Sequence, residues 1–154
     1  MEGIEIRTAG FGDVGHILHH RRAMFRDMGK GTDADLDAMV VTTEAFLREA
    51  LPSGGYRGWL AQTADGRVVA GAGIVIAPWP GSPGDPSPRR GLIQNVYTEP
   101  AFRRRGLARR LMETVLEWCR AEGFFTVALH ASDEGRALYE SMGFQATNEM
   151  RLKL

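Results

Sequence analysis

The chain contains a single cysteine, Cys119, among 154 residues, so no intrachain disulfide can form and the core alone must hold the fold. That usage fits a reducing compartment, and a cytoplasmic protein is expected. Charge of one sign is also lacking, because 19 Lys and Arg balance 19 Asp and Glu. A zero balance disfavours a polyanionic partner, and no nucleic acid is expected. Long apolar runs are missing too. The longest mainly apolar stretch, Val68 to Ala77, is far short of the ~20 residues of a membrane span, so no membrane partner is expected. The N-terminal MEGIEIRTAG has neither the basic nor the apolar region of a signal peptide. Proline is scarce except between Pro78 and Arg90, which holds five of the seven and reads as one long exposed loop.

What is present is an ordinary globular composition, 44% hydrophobic and 25% charged, and one domain over residues 1–154 is expected. Ile4 to Arg7 alternates as a short strand. Asp13 is placed to cap a helix that carries Val14, Ile17, Leu18, Phe25 and Met28 and ends at Gly29. A second helix carries the stripe Leu36, Met39, Val40, Thr43, Phe46, Leu47 and Ala50, stopped by Pro52. The period then changes to strands over Arg57 to Thr63 and Val68 to Ala77, joined by an Asp65-Gly66 turn, and a further strand over Leu92 to Thr98. From Arg105 to Glu122 a helix buries Leu107, Ala108, Leu111, Met112, Val115, Leu116 and Cys119; here the cysteine reads as core. Phe124 to His130 reads as a buried strand, Asp133 to Met142 as a short helix, and Phe144 to Leu152 as one or two last strands. The order β-α-α-β-β-β-α-β-α-β is a mixed α/β layer with one β-α-β crossover.

The informative stretch runs from Gln94 to Ala108, a strand, a tight turn and a helix start. Helix N-terminal amides lack internal partners, so this turn is an anion site, and Gly106 lets a phosphate approach the main chain. Arg103, Arg104 and Arg105 stand where the helix dipole disfavours cations, a conflict that a bound polyphosphate resolves. The plainer reading is a solvated basic loop.

Arg103-x-x-Gly106-x-Ala108 resembles the Q/R-x-x-G-x-G/A pyrophosphate signature of the GNAT acetyltransferase superfamily, and Leu138-Tyr139-Glu140-Ser141-Met142-Gly143-Phe144 resembles that family's LYEKLGF segment. The resemblance implies a GNAT fold: a mixed, mostly antiparallel sheet of six to seven strands, splayed between strands 4 and 5 and flanked by about four helices. It implies acetyl-CoA as cosubstrate, bound in that splay, with no metal. Val96, Tyr97 and Thr98 line the cofactor, Val96 and Thr98 through main-chain hydrogen bonds, and the turn Arg103, Arg104, Arg105, Gly106, Leu107, Ala108 and Arg109 cradles the pyrophosphate. Tyr139 matches the tyrosine that protonates the departing thiolate, a role suited to a phenol of pKa ~10. Ser132 stands where many members carry a pantetheine-binding Asn, Gly135 stands for a common Ala, and Arg136 is placed to reach the 3′-phosphate.

The central strand offers no carboxylate at Leu92 to Asn95, which leaves His130 and Glu99 as candidates for the base. A hydrogen-bonded histidine closing the sheet edge is the competing reading of His130. The resemblance implies that Arg21, Arg22, Phe25 and Met28 of the first helix, with Asn95 of the strand, line the acceptor pocket, where Arg22 would attract a carboxylate; core packing for Phe25 and Met28 and solvent for the arginines is the alternative. His16, His19 and His20 on that helix read as solvent-facing. The expected activity is transfer of acetyl from acetyl-CoA to a small-molecule amine by direct attack. Protein or peptide N-acetylation and a non-catalytic acyl-CoA sensor remain open, and a homodimer, with the Trp79 loop contributing, is compatible with the family.

Overall fold

A computed structural model of the chain describes residues 3–154. The strands are β1 (Ile4–Thr8), β2 (Tyr56–Thr63), β3 (Val68–Pro78), β4 (Arg89–Thr98) and β5 (Val127–Leu129). The helices are α1 (Val14–Asp27), α2 (Asp33–Ser53), α3 (Leu107–Ala121) and α4 (Arg136–Ser141). The sheet runs in order β1-β2-β3-β4-β5, antiparallel except for the β4–β5 pair, which α3 joins as the crossover.

Alternation along the strands sends side chains to two cores. Tyr56 and Leu60 of β2 pack with Val14 and Ile17 of α1 and Leu47 and Ala50 of α2. Trp59 and Ala61, one residue out of phase, face the other side, where Val69, Ile74, Ile93 and the α3 stripe Leu107, Leu111, Met112, Val115 and Cys119 meet Tyr139 of α4. Burial among these apolar groups pushes the Cys119 thiol up to about 11, which keeps it inert.

Several expectations are corrected. Five strands, not six to seven, form the sheet among the described residues. Residues 144–154 pair with no strand, because alternation makes a strand only where a neighbouring edge supplies hydrogen bonds. The proline-rich loop is shorter than Pro78 to Arg90. Pro78 pairs with Arg89, Trp79 N–H donates to the Pro88 carbonyl, and an inner Ser82–Asp85 bridge closes the tip. Asp13 does not cap α1 with its side chain; its carboxylate takes both guanidinium nitrogens of Arg7 at 2.9 Å and the Gly10 N–H at 2.8 Å. Helix α2 passes Pro52 by one residue before Gly54 ends it in the left-handed region. Its start is a capping box, Thr32 with Asp35. Helix α4 and strand β5 are both shorter at each end than their apolar runs.

Candidate active site

The site is organised by a bulge in β4. Gly73 pairs with Gln94 and Gly71 with Tyr97, so Asn95 and Val96 together oppose Ala72. Asn95 takes φ 58°, a conformation that Asn tolerates better than most residues. The extra residue breaks alternation. Gln94 and Asn95 both meet Arg21 of α1, whereas Val96 packs on the α3 side.

A second feature is the splay. β5 pairs with β4 only at Gly91, Leu92 and Ile93, so from Gln94 to Thr98 the β5-facing edge of β4 has no strand partner among the described residues. Apart from the Thr98 carbonyl, which accepts from Arg103 Nε, main-chain groups there are open to a ligand that supplies complementary donors and acceptors.

The third is the turn after β4. Arg104 (φ 60°) and Gly106 (φ 77°) both lie in the left-handed region, which bends the chain into a concave run of amides before α3. None of the backbone N–H groups from Arg104 to Arg109 has an acceptor among the described residues; the first to find one is Arg110, on the Gly106 carbonyl at 3.1 Å. A β-carbon on Gly106 would meet nothing within 4 Å, so the space over the turn is open. Arg104 and Arg105 are exposed, form no ion pair among the described residues, and add positive charge to the helix end. Six free amides with two unpaired guanidinium groups make a site for a polyphosphate. Together the open edge and the cradle fit the extended arm and pyrophosphate of acetyl-CoA.

The chain matches the Acetyltransferase (GNAT) family over residues 22–144. It belongs to that family. A GCN5-related N-acetyltransferase from Ralstonia eutropha JMP134 is 33% identical and superposes with a TM-score of 0.93 over 99% of both chains. A predicted acetyltransferase from Clostridium acetobutylicum, solved with acetyl-CoA, is 26% identical, with a TM-score of 0.86 over 98% of this chain and 95% of that one. Glucosamine 6-phosphate N-acetyltransferase of Trypanosoma brucei brucei is 33% identical over 90 residues, 58% of this chain and 59% of its own length. The match spans about two to three fifths of the length of the first curated relatives.

In this GNAT chain Tyr139 is almost fully buried at the start of the LYESMGF segment, its ring edge-on to Phe144. Burial pushes its phenol above the ordinary value, so it stays protonated at neutral pH. Gly135 is required by this packing, since a β-carbon there would lie 2.8 Å from Tyr139 Cε2. Ser132 caps the turn into α4, its Oγ accepting from the Gly135 N–H at 3.1 Å, which leaves its hydroxyl proton free for another acceptor. Arg136 is exposed beside Glu140 at 3.7 Å. His130 is exposed past the end of β5, with Nε2 2.8 Å from a Glu149 carboxylate oxygen. Glu99 is held by His19 at 2.7 Å.

Other expected site residues are placed differently. Arg103 turns back from the cradle. Its Nε donates to the Thr98 carbonyl at 2.9 Å and its guanidinium bonds Asp27 at 2.5 Å, bracing the turn against α1. The Arg109 guanidinium donates to Ser141 Oγ at 2.7 Å and ties α3 to α4. Tyr97 is buried against His20, which leaves only its main chain for a cofactor. Arg22 is engaged with Asp37 of α2 at 2.7 Å. Asn95 is buried and turned inward, donating from Nδ2 to the Tyr56 phenol at 2.9 Å and accepting from Arg21 at 2.9 Å. Phe25 lies under the Arg21 guanidinium, 5.0 Å from its ring centre, and Met28 follows the last turn of α1, half-buried.

Sequence reasoning does not separate Arg21 from Arg22, misplaces His20 and misses Tyr56. Arg21, not Arg22, faces β4, and its partners there are neutral amides; its Nε is buried without any partner. His20 is 2% exposed, not solvent-facing, and burial, with His19 nearby, lowers it to about 4. Tyr56 is buried under the bulge, and burial pushes its phenol up to about 12. Gly71 and Gly73 make room for both: β-carbons there would lie 2.8 Å from His20 Nδ1 and 1.9 Å from the Tyr56 oxygen. Two glycines in an apolar strand were the available signal.

Proposed function

We propose that this chain is an N-acetyltransferase that moves the acetyl group of acetyl-CoA to the amine of a small molecule. The observation that carries the reading is the run of six unpaired amides from Arg104 to Arg109 beside the open edge of β4. The bound thioester supplies an activated acetyl group. Main-chain groups at Val96 and Thr98 bind and orient it, and Tyr139, kept protonated by burial, donates a proton to the leaving sulfur. The attacking amine must be neutral. His130, just past the end of β5 with Glu149 2.8 Å from its Nε2, takes the proton, directly or through water, and Glu99 is the other candidate. The amine attacks the acetyl carbon and the C–S bond breaks, with no acyl-enzyme stage.

Support for a small acceptor comes from relatives named for glucosamine 6-phosphate and aminoglycoside acetylation. Arg21 refines the class. A half-buried guanidinium facing only neutral amides and an aromatic ring favours an acceptor that brings an anion, a carboxylate or a phosphate, within reach of the amine. A thiol-release screen of amino acids, amino-sugar phosphates, polyamines, aminoglycosides and short peptides tests this. Turnover of anionic small amines is expected. Acetyl-CoA binding with no turnover of any amine would instead describe a sensor.

A further inference from the structure

Before the bulge, alternation divides β4 into two faces. Ile93 belongs to the core under α3, and a β-carbon on Gly91 would lie 2.8 Å from Ile74 Cδ1 and 3.1 Å from the Phe124 ring, so positions 91 and 93 face α3. Arg90, Leu92 and Gln94 therefore face the other way, to the side where Arg21 meets Gln94. Leu92 is half-buried yet joins neither core. Its partner on β5, Ala128, is also outside both, and lies between Val127 and Leu129, which pack toward α3. The two make an apolar shelf that runs away from Arg21.

Arg90 stands at the far end of the shelf. It is exposed, its guanidinium lies over the Trp79 ring at 4.8 Å from the centre, and it forms no ion pair among the described residues. Trp79 itself is 50% exposed. Asp85, the acid of the β3–β4 hairpin, is already taken, accepting from the Ser87 N–H at 3.1 Å and the Thr126 hydroxyl at 2.5 Å. An arginine stacked on indole is held in place while its donors stay free for an anion. Arg21, at the other end, also has no carboxylate partner. Four residues of strand separate Gln94 from Arg90 by about 13 Å. The shelf is thus cationic at both ends and apolar between.

We infer that Arg90, stacked on Trp79, is a distal subsite for the acceptor. The acceptor is an elongated amine with one anion beside the amine, for Arg21, and a carboxylate at the far end of an apolar chain, for Arg90. A carboxylate fits because Arg90 is a single cation and needs one negative charge. The inference rests on the reading of the Arg21 face as the acceptor site.

Titration calorimetry of straight-chain dicarboxylates, from succinate to dodecanedioate, into the intact chain with CoA present tests it without turnover. Affinity is expected to rise with length to an optimum near decanedioate, roughly tenfold or more above succinate. Decanoate, which has the chain but one carboxylate, is expected to bind more weakly. Arg90→Gln is expected to abolish the preference with circular dichroism retained. Arg89→Gln, the neighbouring cation stacked on Phe124 on the α3 face, is expected to keep it. Absence of a length optimum, decanoate binding as well as decanedioate, or a preference that survives Arg90→Gln overturns the inference. Thiol release from acetyl-CoA with aspartate and with 2-aminodecanedioate separates this from the activity. Turnover of aspartate without dicarboxylate binding overturns the subsite alone, whereas dicarboxylate binding lost in Arg90→Gln with no turnover of any amine supports the subsite and overturns the acetyltransferase reading.

Discussion

Gly135 and Tyr139 are one turn apart on the way into α4, and the ring of the tyrosine occupies the space where a β-carbon of the glycine would stand, 2.8 Å from Cε2. A departure from the family's usual Ala is therefore a packing requirement that sets where the phenol lies. Tyr139→Phe is expected to lower kcat roughly tenfold or more with little change in acetyl-CoA affinity, because the proton and not the ring is lost. Gly135→Ala is expected to lower kcat by displacing that ring. In the double variant the two losses are expected not to add, since both act through the same phenol. Steady-state kinetics of the four proteins checks this, and additive losses would separate Gly135 from the role of Tyr139.

Arg21 is predicted to set acceptor class. Arg21→Met keeps an unbranched side chain and removes the charge. The expected result is a fall of roughly tenfold or more in kcat/KM for an anionic acceptor and a much smaller change for its amide or neutral counterpart. Arg22→Met, which breaks only the pair with Asp37, is expected to leave that ratio unchanged. Equal losses on both acceptors in Arg21→Met would make the residue structural.

His20 makes stability depend on pH. Its folded value near 4 lies below the ordinary 6.5, so the unfolded chain binds a proton that the folded chain refuses between those limits. Stability is therefore fully present above about 6.5 and falls as pH drops toward 4, by roughly 2.5 kcal/mol between pH 7 and 4.5. Urea unfolding at the two pH values measures it. His20→Phe is expected to shrink the difference by about that amount, and an unchanged difference would assign the acid sensitivity elsewhere.

The bulge network is predicted to be rigid and costly to break. Asn95→Leu leaves the buried Tyr56 phenol without its donor and Arg21 without its nearest acceptor, at roughly 2–4 kcal/mol of stability. Gly73→Ala, which drives a methyl into the Tyr56 oxygen, is expected to cost at least as much. Chemical denaturation reads both, and a near-neutral Gly73→Ala would show that the phenol has somewhere else to go.

The cradle and the tyrosine segment were legible because each is a local pattern: a glycine at fixed spacing from arginines, and a tyrosine ahead of a Gly-Phe stop. The α3 stripe was legible for the same reason, with its apolar residues returning at helical period. The acceptor side was not. Arg21 and Arg22 are neighbours on α1, and a rotation of about 100° per residue sends one to β4 and the other to α2; periodicity alone does not choose between them. The bulge at Asn95 is one inserted residue with no compositional mark. His20 is buried because Gly71, far away on β3, leaves room for its ring, a relation between distant residues that only the folded chain shows. The final alternation was read as strand, but alternation alone supplies no hydrogen-bonding neighbour, and residues 144–154 pair with no strand among the described residues.

The most direct test of the account is titration calorimetry of acetyl-CoA into the intact protein and into Gly106→Glu. Gly106 has a left-handed backbone and open space above it, so glutamate there strains the turn and sets a carboxylate among the amides that would hold the pyrophosphate. Micromolar binding is predicted for the intact chain, weakened roughly tenfold or more in the variant while its circular dichroism is retained. No binding by the intact chain, or equal binding by a folded Gly106→Glu, would contradict the assignment of the Arg104 to Arg109 amides as the acetyl-CoA cradle.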